Sequence, residues 1–177
     1  MNTPAKPLRS TASPPSQEGG IPGLIWQFIR IAESLPNSLL AFVARFSIAA
    51  VFWKSGQTKI QGFALDIVNG EHIWGWPRLS DSVVDLFRDE YRLPLLPPEL
   101  AAMLAATAEH VFPALILLGL ATRLSALALL GMTLTIQLFV YPDAYPTHGT
   151  WAAVLLYLTA HGPGKLSIDH WIARRCR

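Results

Sequence analysis

Glu109 and His110 lie in "AEHVFPALILLGLATR", residues 108 to 123, inside an apolar run of about a helix's length. An ionised carboxylate in hydrocarbon costs about 3 kcal/mol on insertion scales. Such a residue points by default to a ligand, ion or proton site with an opposite charge as its partner. Arg45, in "SLLAFVARFSIAAVFWKSG", is the matching intramembrane cation. Counting a rise of about 1.5 Å per residue, Arg45 lies roughly 12 Å and Glu109 roughly 16 Å from one common face. The two are expected to pair near mid-membrane. Such a pair either fixes helix register or lines a polar pocket.

A second group of candidates sits nearer the opposite face. Trp53, Lys54, Lys59, Gln137, Tyr141, Asp143, Tyr145 and His148 gather there. An aromatic and polar cluster of this kind suits a quinone head group or a polar substrate, and it is also what a membrane interface looks like. The candidate pocket is Trp53, Lys59, His110, Gln137, Tyr141 and His148. His110 follows Glu109 and so lies about 100° round the helix, facing a different neighbour or a second protomer. Met103, Met132, His148 and His161 are the residues a metal would want, but no ligand spacing links them, and no metal site is expected. There is no haem ligand pair at matched depth and no nucleotide motif, so redox chemistry would need a quinone or a partner's cofactor. Cys176, the only cysteine, cannot form a disulfide within one chain or a CxxC redox pair.

The elements that position these residues follow from composition. Of 177 residues, 51% are hydrophobic and 15% charged, against about 25% charged in a soluble domain. The expected fold is all-α: an integral membrane four-helix bundle with an N-terminal interfacial helix and a short extracytoplasmic lid helix. Residues 1–20, rich in Pro, Ser, Thr and Gly, read as a disordered tail, without the apolar stretch of a signal peptide. Residues 21–177 read as the transmembrane domain. Ile21, Leu24, Ile25, Phe28 and Leu35 recur at helical spacing, which predicts an amphipathic helix in the interface or against the protein's own surface. Spans are predicted at about Ser38–Gly56, Leu100–Leu120, Leu124–Tyr141 and Thr150–His161. The last reaches spanning length only if it starts near Pro146 and ends near Gly162. Between spans one and two, Ser80 or Asp81 would cap a short helix carrying Val83, Val84, Phe87 and Tyr91 on one face, either a lid over the mouth of the bundle or a surface helix with no gating role.

Basic residues orient the chain. Lys6, Arg9, Arg30, Arg123, Lys165, Arg174, Arg175 and Arg177 fall on one side. Lys54, Lys59, Arg78, Arg88 and Arg92 fall on the other, diluted by Asp66, Glu71, Asp81, Asp85, Asp89 and Glu90. Both termini are therefore expected in the cytoplasm, with Lys54 and Lys59 counting against it.

Three stretches, "RFSIAAVFWKSGQTKI", "LPLLPPELAAMLAATAEHVFPALILLGLATRLSALAL" and "HGPGKLSIDHW", resemble the DoxX family of small four-helix membrane proteins. The resemblance covers about residues 37 to 171. It is carried by Ser55-Gly56-x-x-Lys59, Glu109, Gly119 with Thr122-Arg123, and Gly162-Pro163-Gly164 with Ser167 and Asp169. The family takes its name from a subunit of a thiosulfate:quinone oxidoreductase, and other members are described as parts of membrane redox complexes managing thiol or oxidative stress. The segment 57–99 and "IQLFVYPDAYPTH" look more like the branch encoded beside DUF692-type proteins in metal-stress clusters, whose neighbours are copper-associated. The resemblance thus implies a bacterial inner-membrane protein in a redox or metal-stress system. Two functions stay open. One is a subunit of a quinone-linked oxidoreductase that holds a quinone between bundle and lid. The other is a non-catalytic anchor or assembly factor for a copper-associated stress system. The bilayer, one or more protein partners and a further copy of the chain are the expected associations, and nucleic acid is not.

Overall fold

The computed structural model describes residues 21–66 and 69–176. The expected disorder of residues 1–20 lies outside the described residues. The chain divides at Leu35 and Pro36 into two units. In the first, α1 runs over Ile21–Glu33, where the apolar spacing predicts a helix.

The second unit holds four long helices: α2 (Asn37–Gln57), α4 (Pro98–Leu118), α5 (Thr122–Phe139) and α6 (Tyr145–His161). The first three are long and apolar enough to cross a membrane. The fourth has 17 residues and starts with Pro146 in its first turn, where a proline's missing N–H costs nothing. Neighbouring pairs run antiparallel because the connections are short or return through the lid. Ile48, Ala49 and Phe52 of α2, Ile116 of α4, Ala126 and Leu129 of α5, and Leu155 and Leu158 of α6 form the core. Outward, the same helices expose Phe42, Val43 and Phe46, then Val111 and Leu118, then Leu124, Leu127, Leu134 and Leu138. Water would not tolerate so continuous an apolar coat, and lipid requires one. The protein is an all-α membrane protein.

The end of the bundle that carries the α4–α5 turn is closed by the C-terminal segment. Gly119, at φ 70°, ends α4, and Ala121, at φ 48°, starts α5. A Cβ on Gly119 would overlap Arg45 and Ser167, so only glycine allows this packing. The short helix α7 (Ile168–Arg175) then reaches back. Asp169 accepts hydrogen bonds from the N–H groups of Ala121 and Thr122 at 2.8 and 3.0 Å, capping α5 from 47 residues away. Arg123 donates to the carbonyl of Thr159 near the end of α6. The residues Gly119, Thr122-Arg123, Ser167 and Asp169 thus share one place in the fold.

The other end carries a lid that the sequence reading described only in part. Two short antiparallel pairings, β1 (Ile60–Gln61) with β4 (Arg78–Leu79) and β2 (Ala64–Asp66) with β3 (Glu71–Ile73), precede the helix. α3 (Asp81–Leu86) begins where expected and continues as a π-helical turn over Phe87–Tyr91. Val83 and Phe87 are buried against Ala101 and Ala102 of α4. Ser80 stands at the cap position without capping, because its hydroxyl binds Gln61 and Ser82 instead.

Candidate functional site

Glu109 does not meet Arg45. Its Oε2 lies 2.7 Å from the Lys59 ammonium, and its Oε1 accepts a hydrogen bond from Ser55 at 3.3 Å. Lys59 Nζ also donates to the hydroxyl and carbonyl of Ser55 at 3.1 and 3.3 Å. Lys59 is 7% and Glu109 2% exposed, so the pair is buried. Arg45 sits toward the other end, donating to the carbonyl of Leu166 at 2.5 Å and of Leu117 at 3.5 Å. The expected Arg45–Glu109 pair fails because the helix ends are not level. The Leu117–Gly119 end of α4 lies beside Arg45, well inside α2, and this raises Glu109 to the level of Ser55. Lys59, two residues past the end of α2, folds its long stem back to the carboxylate.

Gly56 makes this approach possible. A Cβ there would lie 2.8 Å from His110 Cε1 and 3.1 Å from Glu109 Cβ. The His110 ring cannot yield, since Nδ1–H donates to the carbonyl of Ala106 at 2.7 Å and Nε2 accepts from the Gln57 amide at 2.8 Å. Gln57 Oε1 is already engaged by the Leu65 N–H, which fixes the amide's orientation and hence this tautomer. Gly56→Ala is therefore expected to destabilise the detergent-solubilised protein by about 1–3 kcal/mol through overpacking. Gly131→Ala, where a Cβ meets nothing within 4 Å, is the control and should cost nothing measurable in the same thermal unfolding assay.

The ion pair forms one wall of a cleft of about 390 Å³ under the lid, between α2, α4, α5 and α6. Its walls are mostly apolar, with Val51, Phe52, Ala105, Met132, Ile136 and Trp151 prominent. Ser55, Lys59, Glu109, Tyr141 and His148 supply the polar groups. His148 donates Nδ1–H to Gln137 Oε1 at 2.7 Å, and Gln137 is oriented by its own bond to the Pro142 carbonyl at 2.6 Å. That leaves His148 Nε2 as an acceptor with no hydrogen-bond partner among the described residues. Tyr141 donates to Glu90 of the lid at 2.7 Å. Giving up that proton would set phenolate against carboxylate, so the Tyr141 pKa is pushed well above its ordinary value.

The six pocket candidates thus separate. Lys59, Tyr141 and His148 line the cleft, and Gln137 holds His148 from behind. Trp53 and His110 do not reach it. They meet edge to face, with centroids 5.1 Å apart, beside a second cavity of about 550 Å³ on the other side of α4. The cause is the 100° step between consecutive helical residues. Ser55, Trp151 and Glu90 were not among those six. Ser55 and Lys59 stand at i, i+4 around Gly56, a spacing that places both on one helix face and was the available signal. Among the described residues, no group of three or more His, Cys, Asp or Glu is placed to hold a metal ion.

Long apolar helices, an outward apolar coat and a buried ion pair beside an apolar cleft define a small helical membrane protein with an intramembrane polar site. The chain belongs to the DoxX family, whose model matches residues 40–142. No curated protein matches the chain, and no solved structure does.

Proposed function

We propose that this chain is the membrane subunit of a redox or stress-response system and that the cleft under its lid holds a quinone head group. The observation that supports this is the donor and acceptor set on otherwise apolar walls. A quinone carbonyl oxygen needs a donor, and the Lys59 ammonium can turn toward it the N–H that it spends on the Ser55 carbonyl at 3.3 Å. A quinol hydroxyl needs an acceptor, which His148 Nε2 offers. The volume falls within the roughly 300–1,000 Å³ of small-molecule pockets. A bound quinone supplies two-electron, two-proton redox chemistry that the chain's own side chains lack. The residues' part is to orient the head between Lys59 and His148, to exclude water beneath the lid and to hold a proton at His148 Nε2. Electrons come from a protein partner. We read both termini as cytoplasmic from the basic residues, with the lid outside, and take a bacterial inner membrane from the family resemblance.

A quinone should co-purify with the protein and appear in an organic extract. His148→Ala should lower its amount severalfold without unfolding the bundle, since the Lys59–Glu109 pair stays in place. Protein that extracts without quinone and shows no thermal shift with short-chain quinones overturns this reading in favour of the anchor or assembly factor.

A further inference from the structure

The cleft is bounded differently at its mouth and at its side. Across the mouth, Tyr91 of the lid meets Tyr141 edge to face at 5.7 Å, and Glu90 accepts the Tyr141 hydroxyl. The lid is thereby latched to the connection between α5 and α6. The side is another matter. Leu104 of α4 and Thr135 of α5 both line the cleft and are both exposed. Leu104 stands about 9 Å from the start of α4 and Thr135 about 6 Å from the end of α5, so both lie within the apolar spans. Between them α4 offers Ala101, Ala105 and Ala108, one helix face of methyl groups too short to close the gap. The turn at Gly119–Ala121 ties the two helices together at the far end, where Ile116 packs with Ala126 and Leu129. The gap therefore opens only in the half nearer the lid.

We infer that the cleft opens sideways into lipid between α4 and α5, and that it takes a lipid-soluble ligand with a compact polar head and one long apolar tail. The head lies toward Lys59 and His148, and the tail leaves past Leu104 and Thr135. The head's chemistry rests on the quinone reading; the route does not. The lid is latched across the aqueous mouth, so the lateral route favours a lipid-soluble occupant over a polar water-soluble one.

Trp151 reports on this directly. It lines the cleft, packed between Phe52 at 5.4 Å and His148 at 5.1 Å. In a full-length chain whose other five tryptophans are replaced by Phe, reconstituted in nanodiscs, brominated acyl chains should quench most of the Trp151 emission. Iodide in the water should quench little of it. Joint replacement Glu90→Ala and Tyr141→Phe, which unlatches the lid, should raise the iodide effect and leave the bromolipid effect in place. If the single-tryptophan chain does not fold, Ala108→Cys in a Cys176→Ser background gives the same answer: it should react with a lipid-soluble maleimide and resist a charged one. Quenching by iodide but not by brominated chains, or labelling by the charged maleimide alone, overturns the lateral opening. Bromolipid quenching in a protein that binds no quinone keeps the opening and overturns only the identity of the head.

Discussion

Replacing Glu109 by Gln is expected to lower stability in detergent by about 3–5 kcal/mol, the cost of stranding one charge of a buried pair. The Lys59 ammonium would keep only the hydroxyl and carbonyl of Ser55. Lys59→Met should also destabilise, because Glu109 would keep only Ser55. The double variant Lys59→Met with Glu109→Gln strands no charge and should recover part of the loss. The coupling from such a cycle is expected at about 1–3 kcal/mol, typical of groups in contact. A parallel cycle between Arg45 and Glu109 should show the two losses adding within about 0.5 kcal/mol, as for residues that share no partner. Coupling in the second cycle and none in the first, measured by thermal or denaturant unfolding, would place the carboxylate against the wrong cation.

That contrast also marks what the sequence makes legible. The bundle helices could be read because long apolar runs bounded by Pro and Gly leave little else for the backbone to do. The start of α3 could be read from Ser80, Asp81 and the spacing of Val83 and Phe87. The strands of the lid could not: two and three residues are too short to carry an alternating pattern. The acid itself was legible, since Glu109 stands alone in apolar surroundings. Its partner was not. Depth counted from helix ends assumes that the ends are level, and α4 ends beside Arg45 instead. Lys59 reads from the sequence both as a candidate of the outer pocket and as a loop charge that counts against the topology. Its stem is long enough to carry the ammonium back into the bundle, so it is buried and meets the acid. The residues that carry the resemblance have a physical reading once these contacts are known. Ser55 and Lys59 hold the acid, Gly56 admits α4, and Asp169 caps α5.

Arg45 carries the other large effect. Its side chain is among the largest that are fully buried, at 2% exposure. It joins two carbonyls that have no intrahelical donor of their own: Leu117 in the last turn of α4 and Leu166 in the segment before α7. Arg45→Ala removes a charge-assisted hydrogen bond, worth about 1.5–3 kcal/mol, and leaves an unfilled space besides. A total loss of about 3–5 kcal/mol is expected. The loss should be uneven across the molecule. Leu166 is followed within three residues by Asp169, the cap of α5, so freeing the carbonyl of Leu166 also weakens the hold of Asp169 on Ala121 and Thr122. Trypsin should then cut after Lys165 well before the bundle unfolds, and amide exchange should rise at Ala121 and Thr122 while the lid end stays protected. Arg45→Lys should rescue little, because two separate guanidinium nitrogens reach the two carbonyls and one ammonium cannot stand at both positions. The Gly119 position explains why no shorter cation could take over: its missing side chain is the space that the guanidinium fills. If Arg45→Ala leaves Lys165 resistant and stability unchanged, the guanidinium does not hold the tail to the bundle. The cap by Asp169 must then stand on its own.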